Sequence, residues 1–169
     1  MPATKERCHD MSAQLVHVSP NGGAAFSLVG DVYRFLATGE QTGGVYTLVE
    51  ARVLPGGGPP PHVHRREDEA FFILEGEMTF QIGDEKITAK PGTFLQGPRD
   101  IPHTYKNEGR SPVRMLVYVM PPGFENFVKE AAKPLPTFDS APMPVAAEDI
   151  QKLMTIVLKY GIEILPPPK

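Results

Sequence analysis

Two histidines, His62 and His64, stand one residue apart, and the carboxylate of Glu69 follows five residues later. In an extended segment the side chains at i and i+2 point to the same face, so both imidazoles can aim at one point. A third ligand must then come from a neighbouring segment, and Glu69 is well placed for that role. Farther along, GTFLQGPRDIPHTYKN brings a lone histidine, His103, followed by Asn107. Three neutral imidazoles and one carboxylate suit a divalent transition metal, whereas calcium or magnesium calls for mostly oxygen ligands. The donor set leaves the ion open among iron, manganese, nickel, copper, cobalt and zinc. Asn107 reads more simply as a turn or strand-end hydrogen-bonding residue.

These side chains need strands to hold them. From about Phe26 to Pro122 the pattern is β throughout, with candidate strands VYRFLAT, VYTLVEARV, EAFFILEG, EMTFQIG, EKITA, GTFLQ, TYKN and VRMLVYVM. Gly76 and the Gly83-Asp84 pair sit at hairpin corners. About eight strands with this spacing predict an all-β closed barrel or jelly roll. If His103 points inward, alternation puts Tyr105 and Asn107 on its face, and Phe71 and Ile73 follow Glu69 inward. Phe71, Ile73 and Tyr105 are therefore candidate pocket walls, with simple filling of the barrel as the plainer role for the first two.

Residues 1–25 are polar and read as an arm, 26–122 as the barrel, and 123–169 as a C-terminal helical extension. In that extension FENFVKEA is amphipathic through Phe124, Phe127, Val128 and Ala131. After a proline-rich connector, Ile150, Leu153, Met154, Val157 and Leu158 recur at helical spacing up to Gly161. Such a stripe packs on the barrel or on a partner subunit, or covers the barrel mouth as a lid.

The chain has 169 residues, enough for one domain with a substantial core, and a net charge of −3 with no basic footprint for nucleic acid or an anionic membrane. No apolar run approaches the roughly 20 residues of a membrane span. The N-terminus lacks a signal-type apolar stretch, and the single cysteine, Cys8, suits a reducing compartment, so a soluble cytoplasmic protein is expected. Cys8, His9 and His17 lack ligand spacing.

The two histidine stretches carry a family resemblance. Gly56, His62, His64, Glu69 and Gly76 match the first cupin motif, G-x5-H-x-H-x4-E-x6-G. Gly92, Pro98, His103 and Asn107 match the second, G-x5-P-x-G-x2-H-x3-N, in which Asp100 replaces the middle glycine. Nine of ten motif positions agree, with fifteen residues between the motifs. Asp tolerates the left-handed turn that such a glycine serves better than most residues. PPPHVHRREDEAFFILEG and the ending IVLKYGIEILPPPK further resemble the small bacterial cupins labelled quercetin 2,3-dioxygenase-like.

The resemblance implies a jelly-roll barrel with one divalent metal on His62, His64, Glu69 and His103, and a homodimer. It further implies a dioxygenase acting on a small, flavonol-like molecule, with Glu69 both as ligand and as the base that deprotonates the substrate hydroxyl. The alternative is a cupin that does not use dioxygen: an isomerase, a lyase, or a metal-dependent binding or sensing module. Fold alone does not choose between them.

Overall fold

The computed structural model describes residues 14–20 and 22–166. Cys8 and His9 lie outside them, and His17 is exposed. Strand formation follows the alternation expected of half-buried β structure. In Val113–Met120, residues Val113, Met115, Val117 and Val119 turn into the core, while Arg114, Leu116 and Tyr118 face outward.

Twelve strands among the described residues form two antiparallel sheets. The larger sheet runs in the order β11 (Lys133–Leu135), β1 (Ala25–Leu28), β2 (Asp31–Ala37), β3 (Thr47–Val53), β10 (Val113–Met120), β5 (Asp68–Glu75) and β8 (Phe94–Gly97). The smaller runs β12 (Ile162–Ile164), β4 (His62–His64), β9 (His103–Lys106), β6 (Met78–Ile82) and β7 (Glu85–Ala89). The inner faces pack into one apolar core that includes Phe71, Ile73, Met78, Phe80 and Met115, in the manner of a jelly roll. All eight strands expected from the sequence form. Asp100 adopts φ 65°, so the turn before His103 keeps its left-handed corner without glycine.

Residues 123–166 are more than a helical appendage. Helix α1 (Phe124–Ala131) is anchored by Glu125, a buried carboxylate. Its Oε1 accepts from the Gly39 N–H at 2.8 Å, and its Oε2 accepts from the Thr47 hydroxyl and from the Gly123 N–H at 3.0 Å. Strand β11 then extends the larger sheet through β1. The following segment wraps the outer face of that sheet, where the Phe138 ring lies 4.8 Å from the Arg34 guanidinium. Arg34 in turn pairs with buried Glu50 at 2.5 Å. Helix α2 (Ala147–Ile156) passes into a 3-10 turn, Val157–Tyr160, and β12 adds an edge strand to the smaller sheet.

The apolar stripe expected on α2 is only partly inward. Leu153, Ile156 and Val157 pack against the core, whereas Ile150, Met154 and Leu158 are exposed. Ile150, Met154 and Leu158, four residues apart, share a side turned away from the core, so the face that reaches it is narrower than the apolar stripe. Among the described residues, no helix is long and apolar enough to cross a membrane.

Candidate metal centre

Strand β4 is three residues long, and its alternation sends His62 and His64 to the same side, as the sequence suggested. It lies between β12 and β9, in register Ile162↔His64, Ile164↔His62 and His62↔His103. Glu69 comes from the opposing sheet, on β5, so the four donors meet between the two sheets. Their ligand atoms all lie within 4.8 Å of one another, and all four residues are buried.

Each imidazole is held by its outer nitrogen. His62 Nδ1 lies 2.9 Å from the Pro60 carbonyl, and His103 Nδ1 lies 3.0 Å from the Ile101 carbonyl. A carbonyl only accepts, so both Nδ1 atoms carry the hydrogen and both Nε2 atoms present a lone pair to the centre. His64 Nδ1 instead faces the Glu67 carboxylate, 3.4 Å from Oε2. Glu67 is buried, although its neighbours Arg65 and Arg66 in the RREDE run are exposed. A charge run gives no sign of which member turns inward.

At the centre His103 Nε2 lies 2.9 Å from Glu69 Oε2, and His64 Nε2 lies 3.5 Å from the same oxygen. With Nδ1 of His103 protonated, a lone pair and a carboxylate oxygen face each other, which requires a proton or a cation between them. The donor set therefore fits a divalent cation. Burial, followed by the charge of neighbouring His103, lowers the His62 pKa to about 4. Burial raises Glu69, but the imidazoles of His64, His103 and His62 outweigh it and bring the carboxyl to about 2. Burial lowers His64, and the carboxylates of Glu69 and Glu67 more than reverse that. The centre thus holds an ionised carboxylate beside one imidazole that resists protonation.

Beside the cluster lies a cavity of about 110 Å³, lined by His62, His64, Glu69, Asp31, Tyr33 and Tyr105 together with apolar side chains that include Phe124, Phe127, Leu153 and Val157. Tyr105 thus lies where alternation put it. Phe71 and Ile73, each 1% exposed, sit in the barrel core and do not line this cavity. Phe71 packs 5.0 Å from the Phe80 ring and 5.8 Å from that of Tyr105. Asn107 is a clamp: its Nδ2 donates to the Val53 and Ser111 carbonyls at 3.0 and 2.9 Å, and its Oδ1 accepts from Gly109 N–H.

Asp31 accepts the backbone N–H groups of Leu54 and Gly58, each at 3.0 Å, yet burial still pushes its carboxyl from 3.8 up to about 6. Because the folded value is the higher one, folding favours protonated Asp31. That contribution is fully present below about pH 4 and is lost as the pH rises through about 6. Asp31→Asn removes it. Urea titrations are expected to shift by up to about 3 kcal/mol in the variant's favour between pH 4 and pH 7.5. Parallel pH profiles for the two proteins would contradict this.

Residues 49–119 match the family described as Cupin domain. Quercetin 2,3-dioxygenase of Bacillus subtilis is 31% identical over 120 residues, covering 70% of this chain and 35% of that protein. Germin-like protein subfamily 2 member 2 of Arabidopsis thaliana is 40% identical over 75 residues, covering 41% of this chain and 34% of that protein. The chain thus spans about a third of the length of these two relatives. A solved structure of a predicted oxalate decarboxylase from Thermotoga maritima superposes with a TM-score of 0.55 at 20% identity, covering 63% of this chain and 98% of that one, which is a likeness of fold. The matched domain, the paired histidine motifs and the two-sheet barrel make this chain a member of the cupin superfamily, related in sequence to quercetin 2,3-dioxygenase.

Proposed function

We propose that this cupin is a metal-dependent dioxygenase of a small, oxygen-bearing aromatic compound, with His62, His64, Glu69 and His103 holding one divalent transition metal. The observation that carries the reading is the convergence of these four buried donors within 4.8 Å beside a largely apolar cavity. The relation to a quercetin 2,3-dioxygenase supports the choice of reaction. A bound ion of this class supplies charge to acidify a substrate hydroxyl and a redox partner for dioxygen.

The chain's own residues do the rest. Backbone carbonyls at Pro60 and Ile101 fix the orientation of His62 and His103, so little reorganisation accompanies loading. Glu69 is ionised throughout the neutral range and is the base in the cavity. Its Oε2 faces the imidazoles, which leaves Oε1 without a hydrogen-bond partner among the described residues and able to take the hydroxyl proton. Proton affinity this low suits a hydroxyl that is itself strongly acidified. Phe124, Phe127, Leu153 and Val157, all from the C-terminal region, keep bulk water from the reacting atoms.

The test combines metal analysis of untagged protein with oxygen uptake on oxygenated aromatics, from one-ring diphenols to quercetin and related flavonols. Uptake that follows loading with a redox-active metal and disappears in Glu69→Ala is the expected result. Bound metal with no uptake on any oxygenated aromatic overturns the dioxygenase reading in favour of an isomerase, lyase or binding module. A second expectation concerns Glu67, whose carboxylate orients His64. Glu67→Gln should weaken metal affinity by roughly 10- to 100-fold while the fold persists. Competition with a chelator checks it, and unchanged affinity would assign Glu67 to packing alone.

A further inference from the structure

The cavity beside the cluster has a second polar feature. The hydroxyls of Tyr33 and Tyr105, 72 residues apart in sequence, meet at 3.2 Å. A phenol carries one hydrogen and two acceptor lone pairs. Within the pair one hydroxyl donates to the other, and the hydrogen of the accepting hydroxyl is left unused. Neither oxygen has another hydrogen-bond partner among the described residues, and both side chains are buried. An unused donor in an apolar cavity is unfavourable and marks a place for an acceptor.

The other polar group lining the cavity outside the cluster, Asp31, is already satisfied, since each of its oxygens accepts a backbone N–H. The remaining wall is largely apolar, through Leu28, Val29, Phe124, Phe127, Leu153 and Val157. The cavity thus offers two sets of polar groups to a ligand, the donor cluster and the tyrosine pair. Its volume, about 110 Å³, is near that of a cavity that holds one benzene-sized ring, about 150 Å³.

We infer that the Tyr33–Tyr105 hydroxyl pair is the second anchor of the substrate, donating its free hydrogen to an oxygen on a one-ring compound whose other oxygen faces His62, His64 and Glu69. This rests on the metal-site reading above and narrows its substrate class to a monocyclic phenol with a second oxygen substituent. Tyr33 and Tyr105 then set specificity by the position of that oxygen, since a ligand without it leaves the donor unpaired.

The test uses the full chain loaded with zinc, which does not turn over dioxygen, and titrates it by calorimetry with phenol and with resorcinol and hydroquinone, whose two oxygens cannot chelate one ion. The wild type is expected to bind at least one dihydroxybenzene about fivefold tighter than phenol. The double variant Tyr33→Phe/Tyr105→Phe is expected to lose that preference while it still holds zinc. Removing both hydroxyls together leaves neither as an orphan. The absence of any preference in the wild type, or its survival in the zinc-loaded double variant, overturns the anchor and leaves the metal reading standing. Failure of the wild type to hold zinc overturns the metal reading and the anchor with it. A measurement that needs no variant decides the matter even if the double variant does not fold. The fluorophenol with the preferred ring pattern, close in shape but a poor acceptor, should bind no tighter than phenol, and equal preference for it overturns the anchor.

Discussion

His62→Ala and His103→Ala are each expected to abolish metal binding while the barrel stays folded. Either change removes one of three imidazoles whose Nε2 atoms point at a common centre, and the affinity for a divalent ion should fall by more than about a hundredfold. The barrel is held chiefly by an apolar core that includes Phe71, Phe80 and Met115 and extends well beyond these side chains. Zinc at about 100 times its dissociation constant should raise the wild-type thermal midpoint by roughly 5–10 °C, and neither variant should show that rise. Metal-free variants and metal-free wild type should melt within roughly 5 °C of each other. If either variant were unfolded when metal-free while the wild type was not, the cluster would be a structural centre, and the catalytic reading would lose its support.

Gly58→Ala is expected to be the most damaging small substitution near the site. A Cβ at Gly58 would lie 2.0 Å from the Tyr105 carbonyl oxygen and 3.2 Å from Lys106 Cα, both backbone atoms that cannot rotate away, and its φ of 123° disfavours any side chain. Overpacking and backbone strain together should cost about 3 kcal/mol, seen as a fall in thermal midpoint of roughly 10 °C. The shift also pulls on Asp31, which accepts the Gly58 N–H, and on β9, which carries His103 and Tyr105. Gly56→Ala provides the comparison. Its φ is 79°, but nothing lies within 4 Å of the added carbon, so only a strain of about 1 kcal/mol is expected. Equal melting of the two variants would show that the close approach at Tyr105 relaxes cheaply.

The contrast between these two glycines, two residues apart in one GGG run, shows what kind of information a sequence carries. Both match a turn pattern, and only the chain brought beside them differs. The same holds for the strands. Eight of them announce themselves through alternation and β-branched or aromatic residues. Strands β1, β4, β11 and β12 are only three or four residues long, and they form because a neighbouring strand offers its hydrogen bonds. Strand β4 lies in a proline- and glycine-rich run with little propensity of its own, yet it carries two of the four donors.

The sequence by itself determined the donor types, the pairing of His62 with His64 on one face, and the barrel class, because alternation and ligand chemistry are local properties. It also put Tyr105 on the His103 face through the same period of two. Only the tertiary structure decided that Glu69 meets the histidines from the opposing sheet, that Glu67 turns inward to His64, and that Phe71 and Ile73 fill the core instead of the cavity. The meeting of Tyr33 with Tyr105, and the closing of the cavity by C-terminal residues such as Leu153 and Val157, belong there too. These contacts join segments tens of residues apart, and side-chain period says which way a residue points but not what stands opposite it.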